Sequence, residues 1–432
     1  MPMENVQMKL ESYWLDTAPV FTAAAAGPID GRVDVAIVGG GFTGLSAALA
    51  LAQRKASVVV LESGRVVGEA SGRNGGHCNC GLVQDFGGLA DKIGLERAQA
   101  YYRTFGNAVS TVESIVKSEN IACDFKRTGK LKLAAKPEHY EQLVRTHDVL
   151  CANVDTDVKL VTRERIRDEI DSASFYGGLV QGSSAQMHVG KFGVGLAEAA
   201  ARKGARIFEN AGVAKLDRLP DRGYRITTAR GTLDAAQVLV ATGATTRGPF
   251  GWFRRRIVPV GSFIVATEPL DPAQLQRLLP MRRSYVTSKN VGNYFLVTAD
   301  QRLLFGGRAR FAMSNPRSDE KSGHILRSTL SQFFPELSKV RIDYCWGGLV
   351  DMTVDRLPRV GEHQGLYYAM GYSGHGVQMS VHMGQAMADI MDGRDEANPW
   401  RQLKWPAIPG HFGKPWFLPL VGAYYRFQDI LH

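Results

Sequence analysis

Residues 33–48 read VDVAIVGGGFTGLSAA, a short apolar run that ends in three glycines and passes directly into a helical pattern. Val33–Val38 is the continuous apolar stretch expected of a parallel strand buried on both faces. Gly39, Gly41 and Gly44 then supply a G-x-G-x-x-G spacing between that strand and the helix running from Thr43 through Ala52. The first glycine allows a tight turn, the second lets the backbone approach a pyrophosphate, and the third lets helix pack on strand. Phe42 and Thr43 stand where the helix begins, with its free N–H groups and partial positive charge. Val58–Leu61 makes a second buried strand that closes on Glu62, the acid placed to hydrogen-bond ribose hydroxyls, and Ser63 follows it. A chance glycine-rich turn with a surface glutamate would have to reproduce all these placements, so dinucleotide binding is expected. Glu62 would repel an adenosine 2′-phosphate, which disfavours NADP.

Three glycine-rich stretches further along favour FAD over NAD. Ser71, Gly72, Arg73, Asn74, Gly75 and Gly76, followed by His77, offer small residues and hydrogen-bonding side chains on which a flat flavin and its pyrophosphate can lie. Val238–Gly243 reads VLVATG, a buried strand ending in Thr242 and Gly243, and Val213 belongs to the same expected contact set. Gly371–Ser380 reads GYSGHGVQMS, placing Gly374, Gly376 and Val377 at the start of another helix. A helix N-terminus aimed at the flavin pyrimidine edge would stabilise negative charge on the reduced ring. Each stretch alone reads equally as an ordinary turn; in combination they point to one cofactor.

The 432 residues exceed one hydrophobic core, and 44% apolar with 22% charged content is ordinary globular composition. The formal charge of +10 is dispersed apart from the run Arg254, Arg255, Arg256, so no nucleic-acid partner is expected. Five irregularly spaced cysteines exclude a disulfide framework and suggest a reducing compartment; Cys78 and Cys80 lack the partners of a zinc site, and no metal is expected. No stretch approaches the roughly 20 apolar residues of a membrane span, so the cytoplasm is the expected location. Trp416–Val421 is aromatic enough to touch a bilayer surface, although docking on the protein's own body is the commoner use of such a tail.

The element order predicts an α/β chain with a Rossmann-like dinucleotide-binding domain and a discontinuous, mixed-sheet second domain of α+β type. Helical patterns run from about Leu89 to Ser118 and from Glu138 to Val154, with an alternating strand at Lys126–Ala134 between them. From the helix near Gly193–Lys203 to Gln237–Ala241 the chain returns to the first domain, and Ile257 to about Arg310 is strand-rich. Helices are expected at Lys321–Phe333 and Val377–Met391, the latter stopped by Gly393. The expected division is 30–100, 180–250 and 340–395 for the cofactor domain, 101–179 and 251–339 for the substrate domain, and 396–432 for a tail docked on the body.

In this order VAIVGGGFTGLSAA, Glu62, ASGRNGG, VLVATGA, TVDRLPRVG and GYSGHGV resemble the D-amino acid oxidase-like family of FAD oxidoreductases over nearly the whole chain. ESYWLDTAP at Glu11–Pro19 and the GAYY element of the tail are similar to a subgroup that oxidises γ-glutamyl amines. The resemblance implies hydride transfer from the carbon beside a neutral amine to flavin, an imine that water hydrolyses to aldehyde, and dioxygen reduced to peroxide.

Two departures from the family pattern bear on the substrate. Where relatives that act on amino acids carry a carboxylate-gripping arginine after W-x-G-L, this chain has Val350, and where another subgroup has a lysine after S-G-H-G-V, it has Gln378. A buried α-carboxylate without a cation would lose several kcal/mol, so the expected substrate is a small-molecule amine, with Arg308 the remaining candidate for a distant carboxylate. His375 and Gln378 are the expected catalytic residues nearest the flavin, and Tyr294, Trp346 and Tyr372 a candidate aromatic wall. Covalent flavin attachment through cysteine is not expected, since Leu349 stands where that cysteine falls and Cys345 is displaced; His77 is the alternative anchor, and non-covalent FAD the main reading. Open alternatives are a dehydrogenase passing electrons to a quinone or other acceptor, and a flavoprotein modifying tRNA bases.

Overall fold

A computed structural model of the chain describes residues 8–220 and 223–431. The apolar run at Arg32–Val38 lies at the centre of the first eight-stranded sheet, hydrogen-bonded in parallel to Gly231–Val240 on one side and Val58–Leu61 on the other. Arg206–Phe208 extends the parallel array beyond Val58–Leu61, and Leu366–Met370 extends it beyond Gly231–Val240. Arg359–His363 closes one edge antiparallel, while Val213–Arg218 and Tyr224–Thr228 form a hairpin-like extension on Gly231–Val240. The crossover helix Phe42–Gln53 is buried from Phe42 through Ala52, which explains why its sequence is apolar all round rather than striped.

Small residues set how closely the layers approach. A Cβ on Gly44 would stand 2.0 Å from the Gly39 carbonyl oxygen, and one on Gly384 would stand 2.6 Å from the Thr43 carbonyl oxygen. The helix Gly376–Met391 therefore lies directly on Phe42–Gln53, with Ser46 Oγ donating to the Val381 carbonyl at 2.7 Å.

The second eight-stranded sheet runs in the order Ile342–Met352, Val258–Thr267, Leu303–Gly307, Asn293–Val297, Ser284–Thr287, Lys130–Leu133, Gly178–Gln181 and Val158–Val161. It is mixed, since Ser284–Thr287 pairs in parallel with Lys130–Leu133 and the other neighbours are antiparallel. Its strands alternate. Phe263, Val265, Tyr285, Phe295 and Phe305 form a core with Leu326 and Leu330 of the helix Pro316–Phe333, and the opposite face looks toward the first sheet.

Several elements differ from the sequence expectation. The helix expected from Leu89 to Ser118 is two helices, Phe86–Ile93 and Leu95–Ser118, because Gly94 adopts φ +88° between them. The strand expected at Lys126–Ala134 begins only at Lys130, after Gly129 at φ +72°. Residues 101–118, expected in the substrate domain, pack on the helix Gly376–Met391, where Phe105 meets the His375 ring edge-on at 5.5 Å and Thr111 Oγ1 lies 2.8 Å from His382 Nδ1. Conversely, Ile342–Met352 pairs with Val258–Thr267, so the expected boundary at residue 340 falls before a strand of the second sheet. Hydrophobic periodicity identifies a buried face without saying which sheet it faces.

The tail docks through the helix Leu418–Leu431. Leu418 packs with Val260 and Phe311, and Tyr425 stacks on Phe311 at 6.1 Å. Asp429 accepts the N–H groups of Asn290 and Val291 at 2.8 Å each. Trp416, Leu420, Tyr424 and Phe427 remain exposed along its outer side. No helix among the described residues is long and apolar enough to cross a membrane.

Candidate active site

Between the two sheets lies a cavity of about 670 Å³ whose wall draws on all the glycine-rich stretches. Its floor is the turn after the first strand. Gly39 takes φ +111°, and a Cβ there would stand 2.7 Å from the Ala241 carbonyl oxygen. Gly41 caps the helix Phe42–Gln53; a Cβ on it would meet Ser71 Oγ at 2.9 Å, and that hydroxyl accepts the Phe42 N–H at 3.0 Å. Glu62 lies across this turn, accepting the Gly40 N–H at 2.7 Å through Oε2 and the Gly64 N–H at 2.8 Å through Oε1. Ser63 Oγ donates to Glu62 Oε1 at 3.1 Å.

Residues 71–77 form one side. Arg73 donates to the Gly68 and Gly347 carbonyls, and Asn74 is fixed by its Oδ1 accepting the Gly76 N–H at 2.9 Å and its carbonyl accepting Trp14 Nε1–H at 2.7 Å. Gly75 lets the Tyr294 ring approach, since a Cβ would stand 2.7 Å from it. On the far side Val213, Thr242 and Gly243 line the wall, with Thr242 Oγ1 2.6 Å from Thr246 Oγ1. Gly374 sits at φ +99° with nothing near its would-be Cβ, and Gly376 and Val377 begin the helix whose N-terminus faces the cavity.

Not every expected residue reaches the cavity. Gly44, Gly72 and Gly76 lie behind its wall as close-packing positions: a Cβ on Gly72 would stand 2.4 Å from Leu15 and Val67, and one on Gly76 2.9 Å from Trp14. Gln378, expected beside the flavin, is fully buried and turned away, its Nε2 donating to the Asn79 carbonyl at 2.6 Å. Trp346, expected in an aromatic wall, is buried with Nε1 donating to the Arg73 carbonyl at 3.0 Å, so residue 73 covers it. Tyr294, Arg308, Tyr372, His77 and His375 do line the cavity.

Burial sets the charge state of these groups. His77 and His375 are pressed down to about 3 by desolvation and by nearby Lys130, and both are neutral at pH 7. Both ring nitrogens of His77 and Nδ1 of His375 are buried without a hydrogen-bond partner. Tyr294 is pushed up to about 12 by burial, with its hydroxyl 2.9 Å from Ser262 Oγ. Tyr372 is raised in the same way and meets Thr43 Oγ1 at 2.9 Å.

The cavity also holds residues that the sequence reading did not single out. Asp351 accepts the Gly371 N–H at 2.6 Å, and burial pushes its carboxyl up to about 6. Lys132, Arg356 and Tyr425 line it too. Their signals were present: Asp351 follows WGGLV, Arg356 lies within TVDRLPRVG, and Tyr425 ends GAYY. What singles them out is that separate segments converge.

The residues present fit a flavin dinucleotide. A backbone cradle that side chains would fill, an acid at the end of the second strand, a helix N-terminus and unpartnered buried imidazole nitrogens suit a large polar and flat occupant.

Comparison with known proteins agrees. The sequence profile of the DAO family, described as FAD dependent oxidoreductase, matches residues 34–390. The chain is 31% identical to a probable oxidoreductase, OrdL, of Haemophilus influenzae, with 92% of each chain covered. It is 30% identical to the gamma-glutamylputrescine oxidoreductase of Escherichia coli over 92% of this chain and 93% of that one. The crystal structure of glycine oxidase from Geobacillus kaustophilus superposes with a TM-score of 0.69 at 23% identity, covering 88% of this chain and 98% of that one, which shows the shared fold. The chain belongs to the DAO family of FAD-dependent oxidoreductases.

Proposed function

We propose that this protein oxidises a C–N bond of a small-molecule amine, of the γ-glutamyl amine or polyamine-derivative class, to an imine that water hydrolyses to an aldehyde. Bound FAD supplies the chemistry by taking a hydride equivalent from the carbon beside the amine and passing the electrons to dioxygen, giving hydrogen peroxide.

The observation that carries the substrate class is Val350. It lines the cavity where the family's amino acid-oxidising members resemble one another in carrying an arginine, and Gln378, the other expected place for a cation, is buried away from the cavity. An α-carboxylate beside Val350 would meet an apolar side chain. The 30% identity to a gamma-glutamylputrescine oxidoreductase supports the same class.

In this reading Gly39, Gly41, Phe42 and Thr43 receive the pyrophosphate, and Glu62 and Ser63 the ribose. Ser71, Arg73, Asn74, Gly75, His77, Val213, Thr242, Gly243, Gly374, Gly376 and Val377 line the remainder of the cofactor's bed, while Gly44, Gly72 and Gly76 shape it from behind. His375 and His77, held neutral by burial, offer uncharged ring nitrogens. The N-terminus of Gly376–Met391 offers partial positive charge where electrons accumulate. Among the described residues no cysteine lines the cavity, and Cys345 instead donates to the Asp319 carbonyl, which supports non-covalent FAD. All five cysteines are unpaired, in keeping with the cytoplasm.

Oxygen consumption with a candidate amine tests the reading: one peroxide and one aldehyde per dioxygen support it, and dioxygen use without aldehyde contradicts it. A dehydrogenase is the second reading, favoured by the exposed Trp416, Leu420, Tyr424 and Phe427 beside the cavity-lining Tyr425. Turnover with an electron-accepting dye but not with air distinguishes it.

A further inference from the structure

The cavity face of the second sheet carries a guanidinium that no neighbouring carboxylate pairs. Lys132, Val286, Tyr294 and Gly306 are register partners across four successive strands, so the side chains of the first three share one face. Arg308, two residues beyond Gly306, returns to that face on the far side of Tyr294, and it opens on the cavity. The charges acting on its guanidinium come from Arg356, Tyr294 and Tyr425, with no carboxylate among them. Among the described residues it makes no hydrogen bond and no ion pair.

Arg356 adds a second guanidinium at the same end. Its backbone sits at φ +57°, a left-handed conformation that a non-glycine residue adopts at a cost, and the residue lines the cavity. Its NH2 group donates to the Tyr425 hydroxyl at 2.9 Å, while the adjacent acid, Asp355, is taken by Arg359 at 2.6 Å. Tyr425 comes from the C-terminal helix, which Asp429 pins to residues 290 and 291. Three distant segments thus converge on two guanidinium groups and a phenol at one cavity, and among the described residues no carboxylate forms an ion pair with either guanidinium. Two like charges on one cavity wall repel until an anion joins them, and a carboxylate matches the planar guanidinium fork.

We propose that Arg308, Arg356 and Tyr425 form a carboxylate subsite, and that the substrate is an amine whose carboxylate is separated by a spacer from the C–N bond that is oxidised. This rests on the amine-oxidising reading above. Tyr294 stands between the two ends, packing edge-on against His77 of the cofactor bed at 5.5 Å and neighbouring Arg308, so the spacer passes beside its ring.

The test uses the flavin-loaded protein with three probes: hexanoate, hexylamine and 6-aminohexanoate. The wild type binds hexanoate by calorimetry and is reduced by 6-aminohexanoate in preference to hexylamine by about 10–100-fold, the worth of a charge-assisted hydrogen bond. Arg308→Ala abolishes hexanoate binding and brings the preference close to one; Arg308→Lys restores part of it, and Arg356→Gln gives a smaller loss should the first variant fail to fold. Equal use of both amines by the wild type without hexanoate binding overturns the proposal. So does loss of flavin from Arg308→Ala, which would make the arginine a cofactor ligand. Should neither amine reduce the flavin, the amine-oxidising reading fails separately, and hexanoate binding and its loss in Arg308→Ala still decide the subsite.

Discussion

The Glu62 carboxylate accepts the backbone N–H of Gly40 at 2.7 Å, tying the end of the second strand to the turn that leaves the first. The same carboxylate holds the Gly64 N–H, so it fixes two turns while facing the cavity.

On the proposed reading, Glu62→Ala costs a ribose contact as well as the shape of the turn. Removing charge-assisted hydrogen bonds of about 1.5–3 kcal/mol each predicts FAD affinity at least tenfold weaker, measured by fluorescence of flavin released on dilution. Glu62→Gln, which keeps one acceptor, should fall between. Unchanged affinity in Glu62→Ala would show that the acid serves the turn alone.

Gly384→Ala places a methyl group 2.6 Å from the Thr43 carbonyl oxygen, a backbone atom that cannot rotate away. Overpacking of this kind costs about 1–3 kcal/mol. A lower Tm is expected, and because Thr43 also lines the cavity, so is easier loss of flavin. Gly393→Ala, with open space around its Cβ but φ +84°, should lower Tm through backbone strain without loosening the flavin.

Val350→Arg reinstates a cation where the family's amino acid oxidases resemble one another. Flavin reduction by D-amino acids or glycine should rise at least tenfold in the variant, read by stopped-flow absorbance. No rise would mean that residue 350 does not face the reacting carbon.

Asp351 gives a pH dependence with a definite sign. Its carboxyl is raised from 3.8 to about 6 in the folded chain. Below the lower value it is protonated in both states. Between the two values the folded state binds more protons, so stability falls as pH rises through this window and stays reduced above it. Asp351→Asn in flavin-stripped protein should remove that loss, by at most about 3 kcal/mol at pH 8. A Tm difference between the two proteins that does not grow between pH 4 and pH 7 contradicts the assignment.

The glycine-rich cavity wall was legible in the sequence because its residues come in short contiguous runs whose spacing has a backbone cause. Gly39 and Gly41 are glycines for reasons of φ and approach that a sequence can display. The substrate end was much less legible. Arg308, Arg356 and Tyr425 lie on three segments brought together only by sheet pairing and tail docking, so FGGR, TVDRLPRVG and GAYY, each visible singly in the sequence, do not show that they share one cavity. Gln378 and Trp346 show the opposite failure. Gln378 follows the cavity-lining Val377 and Trp346 lies on the strand that carries the cavity-lining Gly348, and facing is decided by packing: Gln378 donates to the Asn79 carbonyl and Trp346 lies under Arg73. The helix Leu95–Ser118 shows the same ambiguity, since its buried stripe suits either sheet.

On the proposed reading, an amine reduces the flavin of this protein directly. Mixing the purified flavoprotein anaerobically with amines, γ-glutamyl amines and D-amino acids, while following the oxidised flavin band, tests it in one experiment. Bleaching by amines is expected, strongest for those carrying a remote carboxylate, with little by D-amino acids. Bleaching by D-amino acids alone, or by none of the panel, would contradict it.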